Sequence, residues 1–350
     1  MNIRKILPFV FASALFFNVA CSNDDETAAT AITYENGILI SNEGGFTSPT
    51  SEVSFLSNNW GNVYNGIYAS NNNNEVLGKV FQTIGFSGNY AYLVCNIPNK
   101  IEIVNRYSFK KVSTVTSNLD NPRYIAFSGA QYYVTNNDYA SVHKLNVYNS
   151  DNSFVKSISF DRAAEKVVEA SGSIVVQTDG VTYAPGEVAT GYTITIVKPS
   201  TNVVDKTVTL PSNGIIRDLV SYNGNAYALA SDNTNSYIYK INTADGTATT
   251  TTLTAIPQAQ KLRISNNTLY FSTGDNKVYS MALGSTTIPT TPLFTAPTGT
   301  LYGIDVIDSN IYVSTTNFTS DSKINIYNAN TGALLKTFTA GISTNGFYKN

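Results

Sequence analysis

Apolar residues in this chain fall in short stretches of alternating character, each placed behind a pair of turn-forming residues. Seven such stretches occupy residues 38–41, 91–94, 132–135, 174–177, 226–229, 269–272 and 311–314. Period-two alternation over so few residues marks a half-buried strand rather than a helix. The preceding pairs are Asn36-Gly37, Gly88-Asn89, Gly129-Ala130, Gly172-Ser173, Gly224-Asn225, Asn266-Asn267 and Asp308-Ser309. Gly, Asn and Asp accept the positive φ that tight hairpins demand. Helical periodicity is nearly absent, with only a weak trace across 162–170.

Taking the second residue of each stretch as an anchor gives positions 39, 92, 133, 175, 227, 270 and 312, spaced 53, 41, 42, 52, 43 and 42 apart. A polar loop and a third strand follow each anchor strand, as at 101–104, 237–241 and 324–327, and then a fourth, as at 334–338. Four strands per repeat of about 40–45 residues is the pattern of a propeller blade. The sequence therefore predicts an all-β fold over residues 31–350, a seven-bladed β-propeller of four-stranded antiparallel blades. One blade must combine both ends of the domain if the ring is to close and hide its edges. Residues 341–350 are expected to supply the inner strand of the blade holding the strands around Ile38, Val53 and Val63, and residues 31–34 compete for that place. The two long spacings mark insertions, one around 57–62 with the Asn71–Asn74 run, the other between Thr178 and Gly191.

Composition narrows the function. A net charge of −2, from 22 basic and 24 acidic residues, offers no basic face for nucleic acid. One histidine, His143, and two cysteines, Cys21 and Cys95, exclude most multi-ligand zinc, copper and iron–sulfur sites and a disulfide scaffold. Cys95 lies in an apolar strand and is expected to be a buried free thiol.

Residues 1–20 read as a signal peptide: Arg4 and Lys5, an apolar run to Phe17, then Asn18-Val19-Ala20 before Cys21. The run is too short to span a bilayer. A cysteine directly after Ala20 resembles a lipobox, in which Cys21 takes a lipid, although Asn18 stands where Leu is preferred; ordinary cleavage near Ala20 or Ser22 is the alternative. Residues 21–30 form an acidic tether. Its Asp24-Asp25-Glu26 run resembles the surface-export signal of Bacteroidetes lipoproteins, the alternative being a plain solvated linker.

No nucleophile elbow, zinc-binding His-Glu-x-x-His or phosphate loop is present. Glu43, Asp138, Asp179, Asp218, Asp232, Asp275 and Asp305 supply carboxylates at loop positions, and a ring of these could hold Ca²⁺, but no spacing singles out a cage. No metal, cofactor or catalytic machinery is expected. Aromatics are more suggestive. Phe46, Tyr124, Tyr139, Tyr183, Tyr302 and Phe318 map to the face carrying the loops that lead into inner strands. Arg123, Arg217, Lys261, Gln82, Asn96, Asn136, Asn137, Asp138 and Asn317 map near them. Aromatic rims mixed with amide and guanidinium donors suit a large polar ligand, although tyrosine is also simply common in strands.

The stretches GILISNEGGF at 37–46 and EVLGKVFQTI at 75–84, with Asn42-Glu43-Gly44, Leu77-Gly78 and Gln82 within them, resemble the YncE-like seven-bladed propeller lipoproteins of Bacteroidetes. The likeness runs from about residue 31 to the Asn-Gly-Phe-Tyr ending at Tyr348. It implies a lipid-anchored outer-membrane protein exposed at the cell surface. That family includes corrinoid binders that partner a TonB-dependent receptor, so a corrinoid such as cobalamin is an implied ligand and such a receptor an implied partner. The leading expectation is a non-enzymatic ligand-binding module. A lactonase-like propeller hydrolase and a structural or adhesive surface protein are the alternatives.

Overall fold

The computed structural model describes residues 33–182, 186–211 and 214–350. The signal peptide, Cys21 and the acidic tether lie outside the described residues. The turns form where expected, two of them one residue earlier, at Ser171-Gly172 and Asn223-Gly224. Asn36, Gly88 and Gly129 each supply a single positive φ value, while Ser171-Gly172, Asn223-Gly224, Asn266-Asn267 and Asp308-Ser309 each hold two in succession. That backbone matches the right-handed twist of the flanking strands.

Seven four-stranded antiparallel sheets result. Their inner strands are Thr344–Lys349, Val80–Ser87, Pro122–Ser128, Val167–Ala170, Ile215–Tyr222, Ala259–Ser265 and Thr300–Ile307, for blades one to seven. The anchor strands lie next to them, and each is almost wholly buried. The anchor tyrosines Tyr92, Tyr133, Tyr227, Tyr270 and Tyr312 are all under 6% exposed. They pack between neighbouring sheets, where burying such a side chain contributes about 1.5–3 kcal/mol. Some also bond across a blade boundary: Tyr133 donates to Asn202 Oδ1 at 2.7 Å, and Tyr312 accepts from Trp60 Nε1 at 3.2 Å. Abundant tyrosine is thus largely a packing device. Cys95 is fully buried and unpaired.

Ring closure uses the C-terminal strand. Thr344–Lys349 pairs antiparallel with Gly37–Asn42, from Ile38 opposite Lys349 to Asn42 opposite Thr344. Inside that seam Thr344 Oγ1 donates to Asn42 Oδ1, and Asn345 Nδ2 donates to Phe81 O of blade two at 2.8 Å. The competing segment has another task. The Tyr34 N–H donates to Tyr107 O, and its buried ring meets Phe55 and Phe109 edge-on at 5.4 and 5.9 Å; residues 31 and 32 lie outside the described residues.

The helical trace at 162–170 is corrected by the structure, which places a loop there and then the strand Val167–Ala170. Its β-branched residues pair with Ser173–Gln177 across the hairpin. Among the described residues the one helix is Ile67–Asn71, beside the Asn run. The insertion in blade four folds as a small hairpin of Val181–Thr182 and Val188–Ala189.

Candidate functional site on the propeller axis

Each inner strand carries the same irregularity near its upper end. Two consecutive residues oppose one residue of the anchor strand. The pairs are Asn345-Gly346 against Ser41, Gln82-Thr83 against Val94, Arg123-Tyr124 against Thr135, Arg217-Asp218 against Leu229, Gln260-Lys261 against Ser272 and Tyr302-Gly303 against Ser314. In blade four the Glu165 N–H donates to Gln177 O while the Gln177 N–H donates to Lys166 O, which makes Glu165-Lys166 the equivalent pair. A β-bulge of this kind re-aims a side chain that regular pleating would bury between sheets. Repeated seven times, it turns side chains toward the axis, where they line a cavity of about 540 Å³.

Charge is concentrated in this cavity. Arg123 holds Glu165 through Nε and Nη2, at 2.8 Å for the closer contact, and Asn137 Nδ2 adds a bond to the same carboxylate at 3.1 Å. Burial opposes ionisation of Glu165, but the Arg123 cation outweighs it and holds the carboxyl below its usual range. Asp218 is fully buried and receives Arg263 Nη1 at 3.0 Å and Lys166 Nζ at 3.5 Å. Against the cost of burial, those cations keep it ionised. Arg263 also reaches Asp305 at 3.1 Å, and Lys166 lies 3.9 Å from the centre of the Tyr124 ring. Arg217 pairs with Glu187 of the inserted hairpin at 2.6 Å.

Two groups are left apart from these pairs. The Lys261 side chain makes no hydrogen bond or ion pair among the described residues, and its Nζ lies 5.9 Å from the centre of the Tyr302 ring. Burial first, then repulsion from Lys166 and Arg263 against the pull of Asp218 and Glu165, brings its amine down to about 8. Glu43 accepts from the Tyr302 hydroxyl and, at 3.5 Å, from Gln82 Nε2. Burial raises its carboxyl, partly offset by the Tyr302 hydrogen bond.

Two loops of like construction stand at the rim. In blade three Asp138 Oδ1 accepts from the N–H groups of Ala140, Ser141 and Val142. In blade seven Asn317 Oδ1 accepts from those of Thr319 and Ser320. Each turn forces the next residue to positive φ, 63° at Tyr139 and 66° at Phe318. Bulky side chains rarely adopt that backbone, and such outliers gather where function fixes geometry. Both aromatics remain exposed, at 46% and 44%. Arg123 Nη2 donates to the Tyr139 hydroxyl at 2.6 Å, and Phe318 meets Tyr302 edge-on at 5.1 Å.

The family described as Domain of unknown function (DUF5074) matches residues 36–349. The chain belongs to the DUF5074 family. No functionally curated protein matches it. Among solved structures, this DUF5074 chain is similar to the periplasmic gluconolactonase PpgL of Pseudomonas aeruginosa, with 13% identity, 89% of this chain and 98% of that one covered, and a TM-score of 0.66. It is also similar to a functionally unknown protein from Desulfotomaculum acetoxidans, at 11% identity, 90% and 99% coverage and a TM-score of 0.65. A third similarity is to the dihydro-heme d1 dehydrogenase NirN, at 14% identity, 90% and 75% coverage and a TM-score of 0.57. At these identities the likeness establishes the propeller fold alone.

Of the residues that sequence reasoning selected, the DUF5074 fold brings Gln82, Arg123, Tyr124, Asn137, Tyr139, Arg217, Lys261 and Tyr302 together around the axial cavity, while Asn136 is buried in its strand, its Nδ2 donating to Val134 O. Phe318 borders it through Tyr302. Asp138 and Asn317 instead build the rim turns. Asn96 is buried within the strand Tyr90–Ile97, and Phe46 stands 77% exposed on a loop outside the cavity lining. Tyr183 lies outside the described residues. Glu165, Lys166 and Asn345 line the cavity but were missed, and Glu43, Asp218 and Asp305 were weighed only as metal ligands. Among the described residues no group of three or more His, Cys, Asp or Glu side chains is arranged to hold a metal; most axial carboxylates face cations. One signal would have found Glu165 and, next to it, Lys166. The first bulge residues 82, 123, 165, 217, 260 and 302 each fall ten positions before the anchors 92, 133, 175, 227, 270 and 312.

Proposed function

We propose that this chain is a non-catalytic binding propeller, tethered to the outer membrane through a lipidated Cys21 and displayed at the cell surface. In this reading it captures a polar small molecule at the axial mouth and passes it to a TonB-dependent receptor. The observation that carries the reading is the seven-fold bulge, which gathers polar side chains into one cavity beneath two aromatics held at positive φ. A volume of about 540 Å³ falls within the usual range for small-molecule sites. Rim loops already fixed by their own hydrogen bonds lose little freedom when a ligand arrives. A corrinoid is the ligand suggested by the family resemblance. It is too large to enter such a cavity whole and would lie across the mouth, its amide side chains reaching toward Gln82, Arg123 and Asn137.

Calorimetric titration with cyanocobalamin tests this. Tyr139→Ala and Phe318→Ala should each weaken binding by about 1–3 kcal/mol with little loss of melting temperature. Unchanged affinity in both variants would refute the mouth as the site, and absence of any heat would remove the corrinoid.

A second reading, a lactonase-like hydrolase, draws support from Glu43 and Lys261. They face one cavity and are both displaced toward their neutral forms, as acid–base pairs often are. The similar fold of a gluconolactonase agrees with it. Turnover of an aldonolactone that disappears in Glu43→Gln would establish this reading over the first.

A further inference from the structure

We propose that Lys261, with Gln260 beside it, is a seat for an oxyanion, so that the molecule held on the axis carries a carboxylate or a phosphate. The inference rests on the reading of the axial mouth as a binding site and names the chemistry of what occupies it.

The argument is one of counter-charges. Five cations line the cavity: Arg123, Lys166, Arg217, Lys261 and Arg263. Four of them have an anion within 4 Å, namely Glu165, Asp218, Glu187 and the pair Asp218 and Asp305. Lys261 alone has none among the described residues. The carboxylate otherwise available, Glu43, is engaged by Tyr302 and Gln82. An ammonium drawn out of bulk water without a partner is costly, and two neighbouring cations, Lys166 and Arg263, add repulsion. The amine's displacement to about 8 reflects that situation.

Gln260 is the first member of the same bulge pair and also lines the cavity. Its amide makes no hydrogen bond among the described residues. An ammonium and an amide N–H from adjacent residues, both unengaged and both on one cavity wall, are donors without acceptors. An oxyanion supplies two or more acceptor oxygens and the missing negative charge in one group. Lysine suits either anion, because its compact charge does not select the planar two-oxygen geometry that arginine prefers.

The test uses the full-length protein at constant ionic strength, with inorganic phosphate and acetate as separate probes and chloride as the control. Both melting temperature and acylation of Lys261 by dilute acetic anhydride, read by mass spectrometry, are followed. At least one oxyanion should raise the melting temperature beyond chloride and protect Lys261 from acylation. Which of the two does so identifies the anion as phosphate or carboxylate. Lys261→Met should raise the Kd by about tenfold or more, the loss of one charge-assisted contact. Lys261→Arg should retain binding, and Lys336→Met, on an exposed outer strand, should behave as wild type. Equal anion affinity in wild type and Lys261→Met would overturn the proposal, as would the failure of both anions to stabilise or protect the wild type. The outcome is separable from that of the mouth itself. If a neutral ligand binds and is sensitive to Tyr139→Ala while anions do nothing, the mouth stands and the anion seat falls. If anions protect Lys261 while no larger ligand binds, the seat stands and the capture reading falls.

Discussion

Replacing Lys261 by Met should stabilise the folded chain near neutral pH, and the size of the gain follows from the site. The amine drops from an ordinary 10.5 to about 8 through burial and the repulsion of Lys166 and Arg263, opposed by Asp218 and Glu165. At about 1.4 kcal/mol per pH unit, keeping it charged costs the folded state up to about 3 kcal/mol. Methionine of similar length removes that cost. It also removes the distant attraction to the Tyr302 ring, worth about 0.5–1 kcal/mol. The expected net gain at pH 7 is therefore about 2 kcal/mol. The sign with pH is fixed. A cation whose folded pKa lies below its unfolded one penalises folding fully below pH about 8, less as pH rises, and not at all above pH about 10.5. The advantage of the variant should fade across that window. Urea unfolding of wild type and Lys261→Met at pH 7 and pH 10 measures it. A variant that is less stable at pH 7, or an advantage that ignores pH, would refute the account of Lys261 as an uncompensated charge.

Deleting residues 344–350 should abolish cooperative unfolding or cause aggregation, because Thr344–Lys349 is the inner strand of blade one and its loss bares the Gly37–Asn42 edge; native-like melting of the truncated chain would contradict this closure. Glu52 is raised to about 7 by burial and by Asp321, so its contribution is favourable below pH about 4.5 and is lost as pH rises through 7. Glu52→Gln should therefore be more stable than wild type at pH 8, by up to about 3 kcal/mol, and the difference should vanish in acid, as read by urea midpoints at both pH values. Cys21→Ala should release the protein from the membrane fraction. Alanines at Asp24, Asp25 and Glu26 should keep it lipidated but reduce its digestion by protease on whole cells, and unchanged digestion would dismiss the export signal.

The blade count was legible because its signals are local. At least one positive-φ turn residue precedes each alternating anchor strand, and both features are dictated by residues adjacent in the chain. Closure by the C-terminal strand was the favoured expectation, since residues 341–350 follow the last fourth strand, but residues 31–34 competed for the place and only the pairing of Thr344–Lys349 with Gly37–Asn42 decides it. The axial site was legible in part. Gln82, Arg123, Tyr124, Arg217 and Tyr302 drew notice as large polar or aromatic residues at strand entries. Glu165 and Lys166 hid inside a faint helical periodicity that their bulge produces, since an extra residue breaks period-two alternation. Asn345 hid because its blade is assembled from segments some 300 residues apart. Asp138 and Asn317 looked like ligand contacts but are consumed by turn geometry. A short polar side chain before an exposed aromatic reads the same in sequence whether it serves the ligand or the backbone.

The recurrence of the bulge at one height in every blade has a consequence for how such a domain can change. The second residues of the pairs include the buried Asp218, which accepts from the Leu262 N–H of the next blade, and Gly303 and Gly346, where a side chain would collide with its neighbours, so these hold the scaffold. The first residues face the cavity where the ladder is interrupted, and most blades thus offer a one-residue slot that can be rewritten with small effect on the scaffold. The ring behaves as a set of interchangeable letters around a fixed aperture. Specificity for a new cargo can evolve, or be engineered, one slot at a time, while the tyrosines between the sheets keep the architecture intact.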